Sequence, residues 1–168
     1  MGSLELTPVH NLILRYKGVY DFEGLYKLLI SWFNDMDYRY IEAVYKDKSD
    51  TPFGNEVEWK MVPDKEVTDF VKYKLGIYVH LWDVKEFEAE RHGKKVKLCD
   101  GRVKVVIERA TVEFDYQNYF NSKRLEGLRN FMISKMFKKH YELNYIDPLE
   151  KEMLDLQAKI KAHLGMVS

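Results

Sequence analysis

Two apolar rhythms run along this chain, one of period two and one of helical period, and the switches between them mark its elements. From His10 to Tyr20, Leu12, Leu14 and Tyr16 fall on alternate positions, which predicts a strand. Asp21 then reads as an N-cap, and Phe22 to Met36 takes helical spacing. Phe22, Leu25, Tyr26, Leu29, Trp32, Phe33 and Met36 share one face of that helix, and Glu23, Lys27, Ser31 and Asn34 the other. Tyr38 to Tyr45 predicts a second strand. The polar run Lys46 to Asn55, with Asp50, Pro52 and Gly54, predicts a loop from which Phe53 should fold back onto the body. Glu56 to Val62 alternates again.

Val67 to Trp82 predicts a long strand. Val71, Tyr73, Leu75, Ile77, Val79 and Leu81 have one parity, and Lys72, Lys74, Tyr78, His80 and Trp82 the other. At about 3.3 Å per residue it would run roughly 50 Å, so a bend is expected, at Gly76. His92-Gly93 predicts a hairpin joining Val84–Arg91 to Lys94–Leu98, and Asp100-Gly101 a second tight turn. In the next strand, Val103 to Tyr116, the apolar parity changes between Ile107 and Ala110, the mark of a β-bulge. Ser122 to Leu143 predicts the longest helix, centred on Leu125, Leu128, Met132 and Met136 and widened by Ile133, Phe137 and Tyr141. Asp147-Pro148-Leu149-Glu150 reads as N-cap, first-turn proline and capping box. Leu149, Met153, Leu156, Ile160 and Leu164 then form a narrow seam that Gly165 stops. That seam is expected to pack on the Ser122 helix or to form a homodimer through 149–164.

The predicted fold class is α+β. A curved antiparallel sheet of about six to seven strands is packed by a long C-terminal helix, with a shorter helix after the first strand and an appended final helix. Residues 1–168 read as one domain, with an α+β body at 10–143 and a helical appendage at 147–165. A long helix lying across a curved antiparallel sheet resembles the helix-grip fold of the START-like superfamily. The likeness covers residues 10–143 and is carried by element order, with no sequence motif. That fold usually has two short helices after its first strand, where Phe22 to Met36 reads as one. The resemblance implies an apolar cavity between sheet and helix that holds a small apolar molecule, and it transfers no individual functional residue.

Composition narrows the possible chemistry. The chain has 168 residues, of which 46% are hydrophobic and 32% charged, so it can build a core and is not globally disordered. Lys+Arg and Asp+Glu both number 27, which excludes a uniformly basic nucleic-acid protein but leaves room for a local patch. No apolar run is long enough to predict a transmembrane segment, and no charged-then-apolar leader precedes Leu6, so a cytoplasmic protein is expected. Cys99 stands alone, which rules out an intrachain disulfide. His10, His80, His92, His140 and His163 have no metal-ligand spacing, and glycine-rich phosphate loops and nucleophile elbows are absent. No metal, cofactor or catalytic residue is therefore expected.

Two surfaces remain. Tyr78, His80 and Trp82 point to one side of a strand and, with Met132 and Met136, could line a site for a small apolar ligand or a protein partner between sheet and long helix. The alternative is an RNA- or ribosome-associated accessory protein. It would use a basic hairpin, Lys94, Lys95 and Lys97, and a helix stripe of Arg124, Lys135 and Lys138 with Phe131 among them. An enzyme is the third reading, and it would need His80 to meet a buried carboxylate in a cleft. The acids Glu86, Glu88 and Glu90 read as a wet strand face opposite a buried Phe87 and Ala89.

Overall fold

A computed structural model describes residues 3–6, 11–49, 51–69, 71–115 and 142–166. The elements are β1 (Ser3–Leu6), β2 (Leu12–Tyr20), α1 (Phe22–Asp35), β3 (Glu42–Lys48), β4 (Asn55–Met61), β5 (Asp64–Thr68), β6 (Val71–Arg91) and β7 (Lys94–Asp115). A π-helical turn, Glu142–Ile146, then leads into α2 (Asp147–His163). The fold is α+β, with an open seven-stranded antiparallel sheet and helices after an early strand and at the C-terminal end. The predicted helix Ser122–Leu143 lies outside the described residues except for its last two positions, and Met132 and Met136 lie outside them as well.

β6 and β7 form one long hairpin that organises the sheet. Its turn, His92-Gly93, has positive φ at both residues (52° and 74°), as a two-residue hairpin requires. On its outer side β7 pairs with β1 and β2 end to end, while β6 pairs with β4 and β5 and β3 closes on β4. Alternate residues of the sheet face the helices. Trp59, Ile77, Val79, Val105 and Ile107 on the strands are fully buried, as are Leu25, Leu29 and Phe33 of α1 and Leu149, Met153, Leu156 and Ile160 of α2.

The expected bulge is present. Lys74 pairs with Thr111 and Gly76 with Glu108, so β7 carries one extra residue, and its apolar set passes from odd to even positions. A second register shift places the extra residue in β6, between the pairs Trp82–Arg102 and Lys85–Asp100. There Asp83 takes φ 55°, and two glycines crowd its backbone. A Cβ on Gly101 would stand 2.8 Å from the Trp82 carbonyl oxygen, and one on Gly54 2.7 Å from the Asp83 carbonyl carbon. Asp100-Gly101 is therefore not a turn, because its glycine lets β7 run straight past a neighbouring bulge.

Other boundaries move for related reasons. Val67 belongs to β5, which turns back onto β6, and β6 continues through residues 84–91 without a break. The second strand begins at Glu42, with Arg39 making only a bridge to Asp64, and it runs on to Lys48. β1 is too short to announce itself and exists as a partner of the end of β7. Phe53 does not fold back, since it is 74% exposed. Phe87 is also exposed, like most of residues 85–97 around it.

α1 starts as expected, with the Asp21 carboxylate accepting the Gly24 amide at 2.8 Å. α2 has no side-chain cap. The chain enters it already coiled in the π turn, so its first amides are not orphaned and Asp147 is not needed as a cap. Gly165, at φ 68°, ends it with the Met166 amide on the Lys161 carbonyl. The apolar side chains of the α2 seam are buried within the chain, where the helix meets α1 and the sheet.

Polar ties fix α2 at its rim. Trp32 Nε1 donates to Asp155 at 2.9 Å, and His163 Nε2 lies 2.8 Å from the Asp21 carbonyl oxygen. Glu152 accepts from the Tyr38 hydroxyl at 2.7 Å and from Lys65 at 2.6 Å. Burial raises the Tyr38 hydroxyl far above its ordinary pKa, so it remains a donor.

Two outcomes follow. Gly101→Ala should lower unfolding free energy by about 1–3 kcal/mol in a urea titration, since its Cβ meets backbone that cannot yield cheaply. The second concerns pH. The Trp32 and Lys159 hydrogen bonds hold the Asp155 carboxyl below its ordinary pKa. Its stabilisation is complete above the unfolded-state value, about 3.9, and is lost as pH falls through the lower folded-state value. Asp155→Asn should therefore melt earlier than the wild-type chain at pH 7, and the two melting curves should converge in acid.

Candidate functional site

The alternation that buries Ile77, Val79 and Leu81 turns Tyr78, His80 and Trp82 to the opposite face of the sheet, away from α1 and α2. The three rings form one row. The Tyr78 hydroxyl lies 3.2 Å from His80 Nδ1, and the His80 and Trp82 ring centroids are 3.8 Å apart. His80 Nε2 points the other way, to Glu56 Oε1 at 2.7 Å, with Glu58 Oε1 at 4.0 Å. Both carboxylates also reach Lys48 Nζ, at 3.5 and 3.8 Å, and the His80 and Lys48 interactions lower the Glu56 pKa. One ligand atom from each of Glu56, Glu58 and His80 lies within 4.8 Å of the others, so this group could hold a divalent cation through nitrogen and oxygen. Lys48 bridges the two acids, and Lys46 is the cross-strand partner of Glu58. No single strand shows this convergence, because Glu56 and Glu58 meet His80 only through the β4–β6 register.

On the other side of the ring row the register makes an unusual pattern. Arg15 lies directly opposite Lys104, and Lys17 directly opposite Arg102. Lys104 is in turn opposite His80, and Arg102 opposite Trp82. Two rows thus cross three strands, each running ring, cation, cation. Arg15 and Lys17 are exposed, and the side chain of Arg102 is 52% exposed. Arg102 donates to Asp83 at 2.7 Å and lies 5.7 Å from the Trp82 ring centre. Among the described residues, no acidic group pairs with Arg15, Lys17 or Lys104. Asp100 and Val19 occupy the next row toward the hairpin, and Tyr78, Val106 and Ile13 form an apolar row on the opposite side.

Directly opposed like charges cost roughly 0.2–1 kcal/mol per pair in an antiparallel sheet, and this face contains two such pairs side by side. The sequence carries the signal as two cation–apolar–cation tripeptides, Arg15-Tyr16-Lys17 and Arg102-Val103-Lys104. Each looks like an ordinary wet strand face until the register sets one against the other.

The basic hairpin has a different character. Lys97 pairs with Glu86 at 2.6 Å and Lys95 approaches Glu88 at 3.9 Å, and the cross-strand partner of Lys95 is Glu90. The acidic strand therefore neutralises Lys95 and Lys97, whereas Lys94 at the tip lies directly opposite Arg91. Arg124, Phe131, Lys135 and Lys138 lie outside the described residues. Clefts among the described residues are walled by charged side chains. One, of about 450 Å³, lies between the start of α1 and the hairpin arm, and its walls include Glu23, Lys27, Glu88 and Lys97. Another, of about 530 Å³, lies beside Gly76, and its walls include Lys60, Lys74 and Glu108. Charged side chains on both walls suit a polar ligand better than an apolar one. No family model and no curated protein matches the chain, so the functional reading rests on this geometry.

If the opposed cations are strained, Lys17→Gln should raise folding stability by about 0.5 kcal/mol at low salt, with a smaller gain at high salt. Lys95→Gln, whose cross-strand partner is the acid Glu90, should bring no such gain. Urea titrations at two ionic strengths measure both, and a destabilised Lys17→Gln would mean the pairs are not in conflict.

Proposed function

We propose that the chain is a binding protein that holds a polyanionic partner on the sheet face turned away from α1 and α2. The observation carrying this reading is the square of cations formed by Arg15, Lys17, Arg102 and Lys104. Only Asp83 answers them among the described residues, through Arg102. A fold tolerates such a conflict at a surface when a ligand's negative charge resolves it, and the ligand's counterions are released on binding. This keeps the binding function expected from the sequence and moves it to the sheet face. The site takes charge rather than an apolar molecule. It shares Trp82 and His80 with the apolar-ligand reading and replaces the hairpin lysines of the nucleic-acid reading.

Heparin chromatography tests it. The wild-type chain should be retained at low salt and released as salt rises, since every anionic group that a cation neutralises sets counterions free and steepens the salt dependence. Lys17→Gln combined with Lys104→Gln should abolish most retention, while Lys94→Gln combined with Lys95→Gln should elute with the wild-type chain. Equal retention of all three would overturn the assignment.

A further inference from the structure

We infer that the polyanion is a single-stranded nucleic acid, its bases stacking on Trp82 and Tyr78, the rings that flank His80, and its phosphates lying on the four cations. This rests on the polyanion reading and adds the identity of the ligand. Charge alone would serve any anionic polymer. What singles out nucleic acid is that each cationic row ends on a ring: Arg15 and Lys104 on His80, Lys17 and Arg102 on Trp82. Two strand spacings, about 10 Å, separate the ring strand from the outer cations, and a nucleotide laid across the strands can put its base over one and its phosphate over the other.

The spacing along the strands favours a single strand. Residues i and i+2 are about 6.6 Å apart, so His80 and Trp82, like Arg102 and Lys104, repeat at about twice the 3.4 Å rise of a stacked duplex strand. An extended, unstacked strand can follow that repeat, and its bases are free to meet the rings. The rings are also held in place before any ligand arrives. His80 is fixed by Tyr78 on one nitrogen and Glu56 on the other, and Trp82 lies against His80. The Arg102 guanidinium, 5.7 Å from Trp82, can move aside for a base or stack on it. Tyr78 and Ile13 extend the apolar strip by one more row across the buried Val106, with Ile13 47% exposed.

The acids of β4 limit the alternatives. Glu56 and Glu58 stand beside the ring row on the side away from the cations. A broad anionic membrane surface would meet them together with the cations and be repelled by them, whereas a narrow polymer can track along β2 and β7 and avoid them.

Fluorescence anisotropy with labelled twelve-nucleotide probes tests the inference on the full chain at fixed salt. The probes are oligo(dT), oligo(rU), an abasic oligonucleotide of equal charge, and a DNA duplex. At least one intact single strand should bind ten-fold or more tighter than both the abasic probe and the duplex. Trp82→Leu should reduce that preference at least five-fold while leaving abasic binding unchanged. Tyr78→Leu provides the same readout if circular dichroism shows Trp82→Leu to be unfolded. Intact and abasic probes binding equally would overturn the stacking inference, as would duplex binding as tight as single strand. If every nucleic-acid probe fails while heparin is still retained, the ligand class is wrong and the polyanion reading stands. Loss of heparin retention as well removes both.

Discussion

The register of the β6–β7 hairpin is the constraint on which the rest depends. Side chains on a strand alternate strictly, so a slip of one residue would carry Ile77, Val79 and Leu81 into water and Tyr78, His80 and Trp82 into the core. Two single-residue insertions, one in each strand, adjust that register along its length. The insertion in β7 returns Ala110, Val112 and Phe114 to the buried face after Ile107. The insertion in β6, at Asp83, turns Val84 inward three residues after Leu81. Gly54 and Gly101 allow it, since any side chain there would strike the bulged backbone. With this register set, β4 can lay its acids beside His80 only from one side, and β7 its cations only from the other.

The helices obey the same logic with different forces. Burial of Leu149, Met153, Leu156 and Ile160 holds α2 to the molecule, but apolar packing is indifferent to small rotations. The polar rim supplies direction. Glu152 answers both Tyr38 and Lys65, and Lys65 also lies over the rings of Tyr38 and Tyr73 at 4.8 and 5.6 Å. Lys65 and Glu152 side chains are only 15% and 19% exposed, so either one alone would be a poorly solvated charge. Tyr73 in turn donates to the Tyr145 carbonyl at 2.7 Å, which fixes the π turn from which α2 departs.

The parts of this fold that are legible in the sequence are those set by one segment alone. Asp21 as a cap, the apolar face of α1, the His92-Gly93 turn, the parity change after Ile107 and the Gly165 stop each depend on a few neighbouring residues. The parts that differ from expectation depend on distant partners. Asp100-Gly101 has the composition of a turn, and only the bulge across from it explains the glycine. Phe53 has the apolar character of a residue that seeks the body, and nothing local fixes which way its loop leans. The α2 stripe is legible as apolar, but its contacts with α1 and the sheet are not, because a stripe of apolar residues does not name its partner. The same limit divides the site. Tyr78, His80 and Trp82 are recognisable as a row because one strand carries them, whereas Glu56, Glu58, Arg15 and Lys104 join them only through pairing.

Charge shows the limit most clearly. Counted along the sequence, residues 91–104 form the conspicuous basic segment, and Arg15 and Lys17 attract no notice. Folding reverses the order. The hairpin brings Glu86, Glu88 and Glu90 against its lysines, so much of its charge is answered locally, while β2 and β7 place like charges face to face. A chain of zero net charge can still present a strong local field, because screening limits what a partner feels to about 8 Å at physiological salt. Within that distance a ligand on β2 and β7 meets four cations, and the acids of β4 are already engaged with Lys48 and His80. The neutral total thus describes the whole molecule, and the opposed cations describe the surface a partner would touch.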